Sequence, residues 1–115
     1  MKVQHWRFAK GLVALGCLLA ASAQAQTVLE RVSAGGKLVI EHRESSVPFS
    51  YVDSKSGKPV GYAVDLCLRL ADVVRKKTGK KDMEVEFVAV TPANRITMIE
   101  QGKADMECGS TTNNA

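Results

Sequence analysis

The side chains in this sequence best suited to bind a small molecule are two arginines and a set of hydroxyl residues. Arg43 follows a short apolar run, Arg95 follows Thr91-Pro92, and Ser110 and Thr112 lie in a polar segment. A guanidinium group presents a planar fork that matches a carboxylate bidentately. Because a hydrogen bond to a charged group contributes roughly 1.5–3 kcal/mol, two arginines and two hydroxyls could hold a small dianion. The alternative is that both arginines are ordinary surface charges.

Two aromatic residues and one acid are further candidates. Phe49 and Tyr51 alternate along a predicted hairpin, so we expect them to face the same side, either as a wall of a ligand cleft or as hairpin core. Asp65 could contact a ligand amine, or it could be a helix N-terminal charge favoured by the helix dipole.

Other kinds of site are not indicated by the residue types. The sequence contains no nucleophile paired with a base at a recognisable turn and no glycine-rich phosphate loop. Cys67 and Cys108 lack nearby histidines and do not have the spacing of metal ligands. We expect them to be two separate half-buried thiols, although an oxidising compartment would permit a bridge. No cofactor and no metal are predicted.

Six segments with clear periodicity or turn signals are expected to position the candidate residues. A β-branched run predicts a buried strand over 37–41, and apolar residues at helical spacing predict a helix over 61–78. The other expected elements are a hairpin over 48–62, a strand over 83–90, a helix from Thr91-Pro92 to Gln101, and a strand over 104–108. One or two helical turns precede Gly35-Gly36.

The alternation of strands and helices predicts an α/β fold with a parallel sheet and right-handed crossovers. In such sheets ligands bind beyond the carboxyl ends of the strands. Those ends carry residues 42–46, 91–95 and 109–112. We therefore expect three separate segments, with both arginines and the hydroxyls, to converge on one edge.

Residues 1–25 have the pattern of a secretory signal peptide. Lys2, Arg7 and Lys10 precede thirteen uncharged residues and the Ala23-Gln24-Ala25 cleavage pattern. Thirteen helical residues reach roughly 20 Å, which is too short for a hydrocarbon core of about 30 Å. Removal of this leader leaves 90 residues with 13 basic and 12 acidic side chains, a net charge of +1. The basic charge of the whole chain therefore does not indicate a nucleic-acid partner, and the predicted location is the periplasm.

Three segments carry a family resemblance: GYAVDL at 61–66, HRESSVPFSY at 42–51 and ECGSTTNN at 107–114. They resemble the family 3 extracellular solute-binding proteins of ABC transporters, and in particular the members that bind glutamate or aspartate. Asn94-Arg95-Ile96 fits the same pattern, whereas Ala63 stands where the family has an acid. The resemblance implies part of one lobe of a two-lobed (type II) periplasmic-binding-protein-like fold, with helices on both faces of the sheet.

The resemblance also implies roles for individual residues. Arg43 and Arg95 would hold the side-chain carboxylate of glutamate or aspartate, and Ser110 and Thr112 would donate near the ligand α-carboxylate. A serine that binds ligand in the relatives is replaced here by Pro92, and the neighbouring Thr91 is the expected substitute. The implied partners are an acidic amino acid and an inner-membrane ABC permease, and the implied state is a monomer.

Members of this family continue well beyond the length of this chain, through a second lobe that closes on the ligand by hinge motion. Residues 26–115 are therefore expected to form the N-terminal part of the first lobe and to bind glutamate weakly or not at all. Two other interpretations remain open. One is a fragment of a periplasmic enzyme similar to cyclohexadienyl dehydratase, in which Glu44 or His42 would be the acid or base. The other is a remnant without function.

Overall fold

The computed structural model describes residues 26–112, and the predicted signal peptide lies outside the described residues. Nine elements follow one another along this part of the chain. In order they are α1 (Val28–Gly35), β1 (Lys37–His42), β2 (Ser45–Ser46), β3 (Ser50–Val52), β4 (Pro59–Val60), α2 (Tyr62–Thr78), β5 (Glu84–Ala89), α3 (Arg95–Glu100) and β6 (Met106–Cys108).

The main sheet has three strands in the order β5-β1-β6, and both pairings are parallel. The strand β1 is central, and Leu38 and Ile40 on one face of it are fully buried. The helices α1 and α2 cover that face, where Val32, Cys67 and Ala71 pack against the strand. The predicted parallel α/β arrangement is confirmed.

The helix α2 is nearly as long as predicted. It begins at Tyr62, ends at Thr78, and is terminated by Gly79 in the left-handed conformation. Its buried face consists of Val64, Cys67 and Ala71. The apolar residues of the helix extend beyond this face, but the sheet covers only one side of the helix. Four leucine and valine side chains outside that side are 40–51% exposed: Leu66, Leu68, Leu70 and Val73.

A close backbone contact fixes the start of α2 against the predicted hairpin. The first helical N–H groups, those of Tyr62 and Ala63, donate to the carbonyls of Pro48 and Phe49 at 3.0 and 2.8 Å. Gly61 immediately precedes them and has a φ of +127°, which favours glycine. A Cβ at this position would overlap the Phe49 carbonyl oxygen and lie 2.8 Å from the Pro48 carbonyl oxygen.

Substitution G61A is therefore expected to lower the free energy of unfolding by about 2 kcal/mol, because the strained φ and the overlap add together. Urea unfolding of the purified chain measures the loss. The matched control is G57A, which has a similar positive φ of +67° but open space around its Cβ position. If the two variants are equally stable, the close approach at Gly61 does not matter.

Two local predictions need correction. The helix α3 begins at Arg95 rather than at Thr91-Pro92, because residues 92–94 form a turn. The Asn94 side chain accepts a hydrogen bond from the Thr91 backbone N–H at 2.8 Å and holds this turn. The predicted hairpin is present as β3 and β4, but residues 47–49 form a turn before it and β2 adds a third strand.

The expectation of two separate thiols was wrong, because Cys67 and Cys108 form a disulfide. Cys67 lies on the buried face of α2 and Cys108 is the last residue of β6. Both side chains turn into the same core, where they are 6% and 1% exposed, and their Cα atoms are 6.2 Å apart. The bridge therefore ties the helix to the end of a strand that carries part of the candidate site.

Candidate functional site

The carboxyl ends of the three parallel strands meet at one edge. His42, the last residue of β1, is in register with Ala89 of β5 and with Cys108 of β6. The segments that follow these residues therefore leave the sheet side by side. This arrangement confirms that residues 42–46, 91–95 and 109–112 border the same edge, as expected for a ligand site in a parallel sheet.

Arg43 is the first residue beyond β1 and is half-buried. Its backbone N–H donates to the hydroxyl of Ser50, a fully buried residue, at 2.9 Å. A Cβ added at Gly109 would lie 3.0 Å from the Arg43 side-chain Cγ, so the arginine stem lies against the backbone beyond β6. The absence of a side chain at Gly109 thus lets Arg43 cross this end of the sheet.

Ser110 and Thr112 follow β6 on the same edge. The Ser110 hydroxyl donates to the Ser46 hydroxyl at 3.3 Å, which joins the end of β6 to β2. Ser46 was not predicted as a site residue. Its position in the polar segment after β1 could have indicated it. Thr112 is exposed. The two hydroxyls of Ser46 and Ser110 and the stem of Arg43, which lies against Gly109, therefore border one patch.

Thr91 and Arg95 lie at the two ends of the turn before α3. The Thr91 hydroxyl donates to the Asn94 side-chain oxygen at 3.2 Å, so its hydrogen is used within the turn while its lone pairs stay exposed. The Arg95 N–H donates to the Thr91 carbonyl at 3.2 Å. The structure thus gives Thr91 a role in shaping the turn that presents Arg95.

Phe49 and Tyr51 do not lie on one strand. Phe49 belongs to the turn over 47–49 and is 47% exposed, whereas Tyr51 is in β3 and is half-buried. Asp65 is exposed in the first turn of α2, where a negative charge is favoured by the helix dipole. Its backbone N–H donates to the Gly61 carbonyl.

Two acids that were not predicted as site residues, one buried and one half-buried, lie just below this edge. Glu41 of β1 and Glu107 of β6 are cross-strand partners, and Glu41 is fully buried. Among residues 26–112, neither side-chain oxygen of Glu41 finds a hydrogen-bond partner, nor does Oε1 of Glu107. Burial raises the pKa of Glu41 to about 7, the charge of Glu107 adds to the rise, and Arg95 opposes it. The only sequence signal was an acid inside a predicted buried strand.

The two residues named as possible acids or bases of an enzyme lie in different surroundings. His42 is buried on the core side, where its ring stands edge-on to Phe87 at a centroid distance of 6.0 Å. Its Nδ1 lies 3.1 Å from the Arg43 carbonyl oxygen, which can only accept, so Nδ1 carries the hydrogen. Glu44 is exposed. The structure therefore does not bring the His42 and Glu44 side chains together.

Within residues 26–112, no group of three or more His, Cys, Asp or Glu side chains is placed to hold a metal ion. The helices described by the structure are also too short or too polar to span a bilayer.

Comparison with known proteins gives a consistent set of relatives. The family description "Bacterial extracellular solute-binding proteins, family 3" matches residues 38–115. A glutamate/aspartate import solute-binding protein of Escherichia coli (strain K12) is 44% identical over 94 residues, which cover 82% of this chain and 31% of that protein. An L-glutamate/L-aspartate-binding protein of Pseudomonas aeruginosa is 40% identical over 86 residues, covering 75% of this chain and 28% of that protein. The chain thus spans about a third of the length of the curated relatives it matches.

Solved structures show the same fold. An ancestral cationic amino acid solute-binding protein superposes with a TM-score of 0.63 at 30% identity, covering 76% of this chain and 35% of that one. An ancestral cyclohexadienyl dehydratase superposes with a TM-score of 0.62 at 27% identity, covering 79% of this chain and 34% of that one. The described residues therefore correspond to a part of an amino-acid-binding fold.

Proposed function

The chain belongs to family 3 of the bacterial extracellular solute-binding proteins, and from that premise we propose that it contributes part of a binding site for glutamate or aspartate in ABC-type uptake. The observation that carries the proposal is the convergence of two arginine-bearing segments and a hydroxyl-bearing segment at one sheet edge. The names of the relatives in Escherichia coli and Pseudomonas aeruginosa support the choice of an acidic amino acid.

The chemistry of this edge suits a dicarboxylic ligand. In the proposal Arg43 and Arg95 hold the side-chain carboxylate, because a guanidinium group can donate two parallel hydrogen bonds to it. Ser110 and Thr112 donate near the α-carboxylate, and the Ser46 hydroxyl beside Ser110 extends this polar patch. Thr91 supports the turn in front of Arg95, and Phe49 with its half-exposed ring forms a wall at the hairpin side together with Tyr51.

The proposed location is the periplasm, and the proposed partner is an inner-membrane ABC permease that receives the amino acid. The predicted signal peptide at 1–25 supports export. The disulfide between Cys67 and Cys108 supports an oxidising compartment, since such bonds are rare in the bacterial cytosol. The proposed state of the chain is a monomer without cofactor.

The test is a chimera in which residues 26–112 of this chain replace the matching segment of the Escherichia coli relative. We expect R43A and R95A each to weaken glutamate binding by about tenfold to a hundredfold, the loss of one charge-assisted contact. Isothermal titration calorimetry measures the dissociation constants. The matched control is R69A, which removes an exposed arginine from α2 on another part of the surface.

Equal affinities of the R43A, R95A and R69A chimeras would contradict the assignment of the arginines. A chimera that binds a cationic amino acid more tightly than glutamate would contradict the ligand class. The isolated chain is expected to bind glutamate far more weakly than the chimera, because it supplies only one side of a two-lobed clamp.

A second candidate is an enzyme similar to cyclohexadienyl dehydratase, which the superposition with the ancestral dehydratase favours. This function needs an acid or base in contact with substrate. His42 is turned to the core and Glu44 is exposed, so Glu44 is the better placed of the two. Turnover of prephenate by the chimera, abolished in E44Q, would favour the enzyme over the transport receptor.

A further inference from the structure

Glu41, which is fully buried, and Glu107, which is half-buried, form an acidic pair that takes no part in the proposed ligand contacts. They face one another across the β1–β6 pairing, because residues in register on adjacent parallel strands project from the same face. Glu41 is fully buried, and within residues 26–112 its two oxygens and Oε1 of Glu107 have no hydrogen-bond partner. Two ionised carboxylates side by side repel one another, and the three buried oxygens lack hydration, so a proton on the pair is favoured.

The charged groups around the pair differ in how far they are already engaged with other partners. On β5 the register partner of Glu41 is Val88, which is apolar. Asp105, two residues before Glu107, is held by the Arg31 side chain and by the Val39 backbone N–H. From α3, the Arg95 guanidinium lies near enough to favour the ionised form of Glu41. Arg95 is thus a charged group whose attraction to Glu41 depends on whether the pair holds a proton.

A second arginine lies at the rim of this group. The side chains of Glu107 and Arg43 both lie against Gly109, where a Cβ would meet each of them. No ion pair joins Arg43 or Arg95 to either acid in the part of the chain that the structure describes. Arg43 and Arg95 therefore lie near Glu41 and Glu107 without forming an ion pair with them.

We propose that Glu41 and Glu107 bind one proton between them, and that this proton decides whether Arg95 is drawn to the pair or is available at the strand-end edge. The proton comes from solvent and is held on a carboxyl oxygen of the pair. When it leaves, the pair carries two negative charges and attracts the guanidinium inward. When it is present, the pair carries one charge and Arg95 is freer to meet an anion outside the sheet.

The range in which this exchange occurs is near neutrality. The pKa of Glu41 is raised to about 7 by burial, with a further rise from Glu107 and a counteracting effect of Arg95. A Glu in water titrates near 4.5 and would be ionised throughout this range. Glu41 is then a positioning residue that acts through Arg95, and its effect on an acidic ligand rests on the proposed function.

The test is a carbon NMR titration of the glutamate carboxyl groups in the purified chain between pH 4 and 9, without ligand. We expect the Glu41 signal to titrate with a midpoint near 7, to fall in E107Q, and to rise in R95A, since the arginine stabilises the charged form. Glu44 is the internal control, because its side chain is exposed. A Glu41 midpoint near 4.5, or a midpoint unchanged in R95A, would overturn the proposal.

A second measurement needs no substitution in the pair. The Arg95 side-chain Nε signal of the unmodified chain is expected to shift with pH at the same midpoint as Glu41. A signal that stays constant through this range would show that protonation of the pair does not affect Arg95, and would overturn the proposal. Titration of the chimera with glutamate at pH 6 separates the proposed function from the proton site. A chimera that binds no glutamate contradicts the proposed function. A Glu41 midpoint near 7 would still support the proton site in that case.

Discussion

Replacing both Cys67 and Cys108 by alanine is expected to lower the free energy of unfolding by about 4 kcal/mol. The bridge closes a loop of 41 residues, and the loop entropy that it removes from the unfolded chain gives a value of this size. The loss is a large fraction of the roughly 5–15 kcal/mol that stabilises a typical domain. Urea unfolding of the variant and the unmodified chain, followed by far-ultraviolet circular dichroism, measures the difference.

The control for this experiment is the unmodified chain with a reductant, because reduction opens the bridge and leaves both side chains in place. The reduced chain should lose about as much stability as the double variant. Thiol labelling of the unfolded, non-reduced chain, followed by peptide mapping, should find neither Cys67 nor Cys108 free. Labelling of both residues would contradict the bridge, and equal stability with and without reductant would contradict its contribution.

The structural consequence should extend to the candidate site. The bridge holds the last residue of β6 to α2, and Ser110 lies two residues further on. Opening it removes a covalent restraint from the loop that places Ser110 beside Ser46. Hydrogen exchange of the backbone amides over 108–112 should therefore speed up more than exchange in β5, which the bridge does not touch.

Substitution E41Q is expected to remove about 3 kcal/mol of pH dependence from the stability of the chain. The folded-state pKa of Glu41 is raised from 4.5 to about 7, so between these values the folded state keeps a proton that the unfolded state has released. Stability from this group is therefore fully present below about pH 4.5 and is lost as the pH rises to 7. One pKa unit corresponds to about 1.4 kcal/mol, which sets the size of the effect.

The measurement is urea unfolding of the unmodified chain and of E41Q at a series of pH values from 4 to 8. The difference between the two curves isolates Glu41 from the other acids. Asp53 changes stability in the opposite sense, because the Ser56 side chain and backbone lower its pKa. The matched control is E44Q, which removes the same charge at an exposed position. Parallel curves for the unmodified chain and E41Q would show that Glu41 titrates normally.

Much of the fold followed from local patterns in the sequence. The helix α2 was predicted to within one residue at its start, because apolar spacing, terminal charges and Gly79 all act within a few residues of one another. The strands β1 and β5 were predicted from apolar runs, and their parallel pairing from the helices between them. Convergence of Arg43 and Ser110 on one edge then followed, since parallel strands end on the same side.

Other features depend on contacts between residues far apart in the chain. Leu66 and Leu70 are apolar and helical, yet they are exposed because the position of the sheet decides which side of α2 is covered. The start of α3 was misplaced because the Asn94 side chain captures the Thr91 N–H and forms a turn in place of the first helical turn.

The sequence by itself determined the α/β class, the order of the elements and the edge at which the arginines and hydroxyls collect, because periodicity and turn chemistry are local. The tertiary structure alone decided that Cys67 meets Cys108 and that Glu41 faces Glu107. These pairs are 41 and 66 residues apart in sequence, and which residues meet depends on strand register and helix rotation. Both are set by the packing of the whole core, which no single segment specifies.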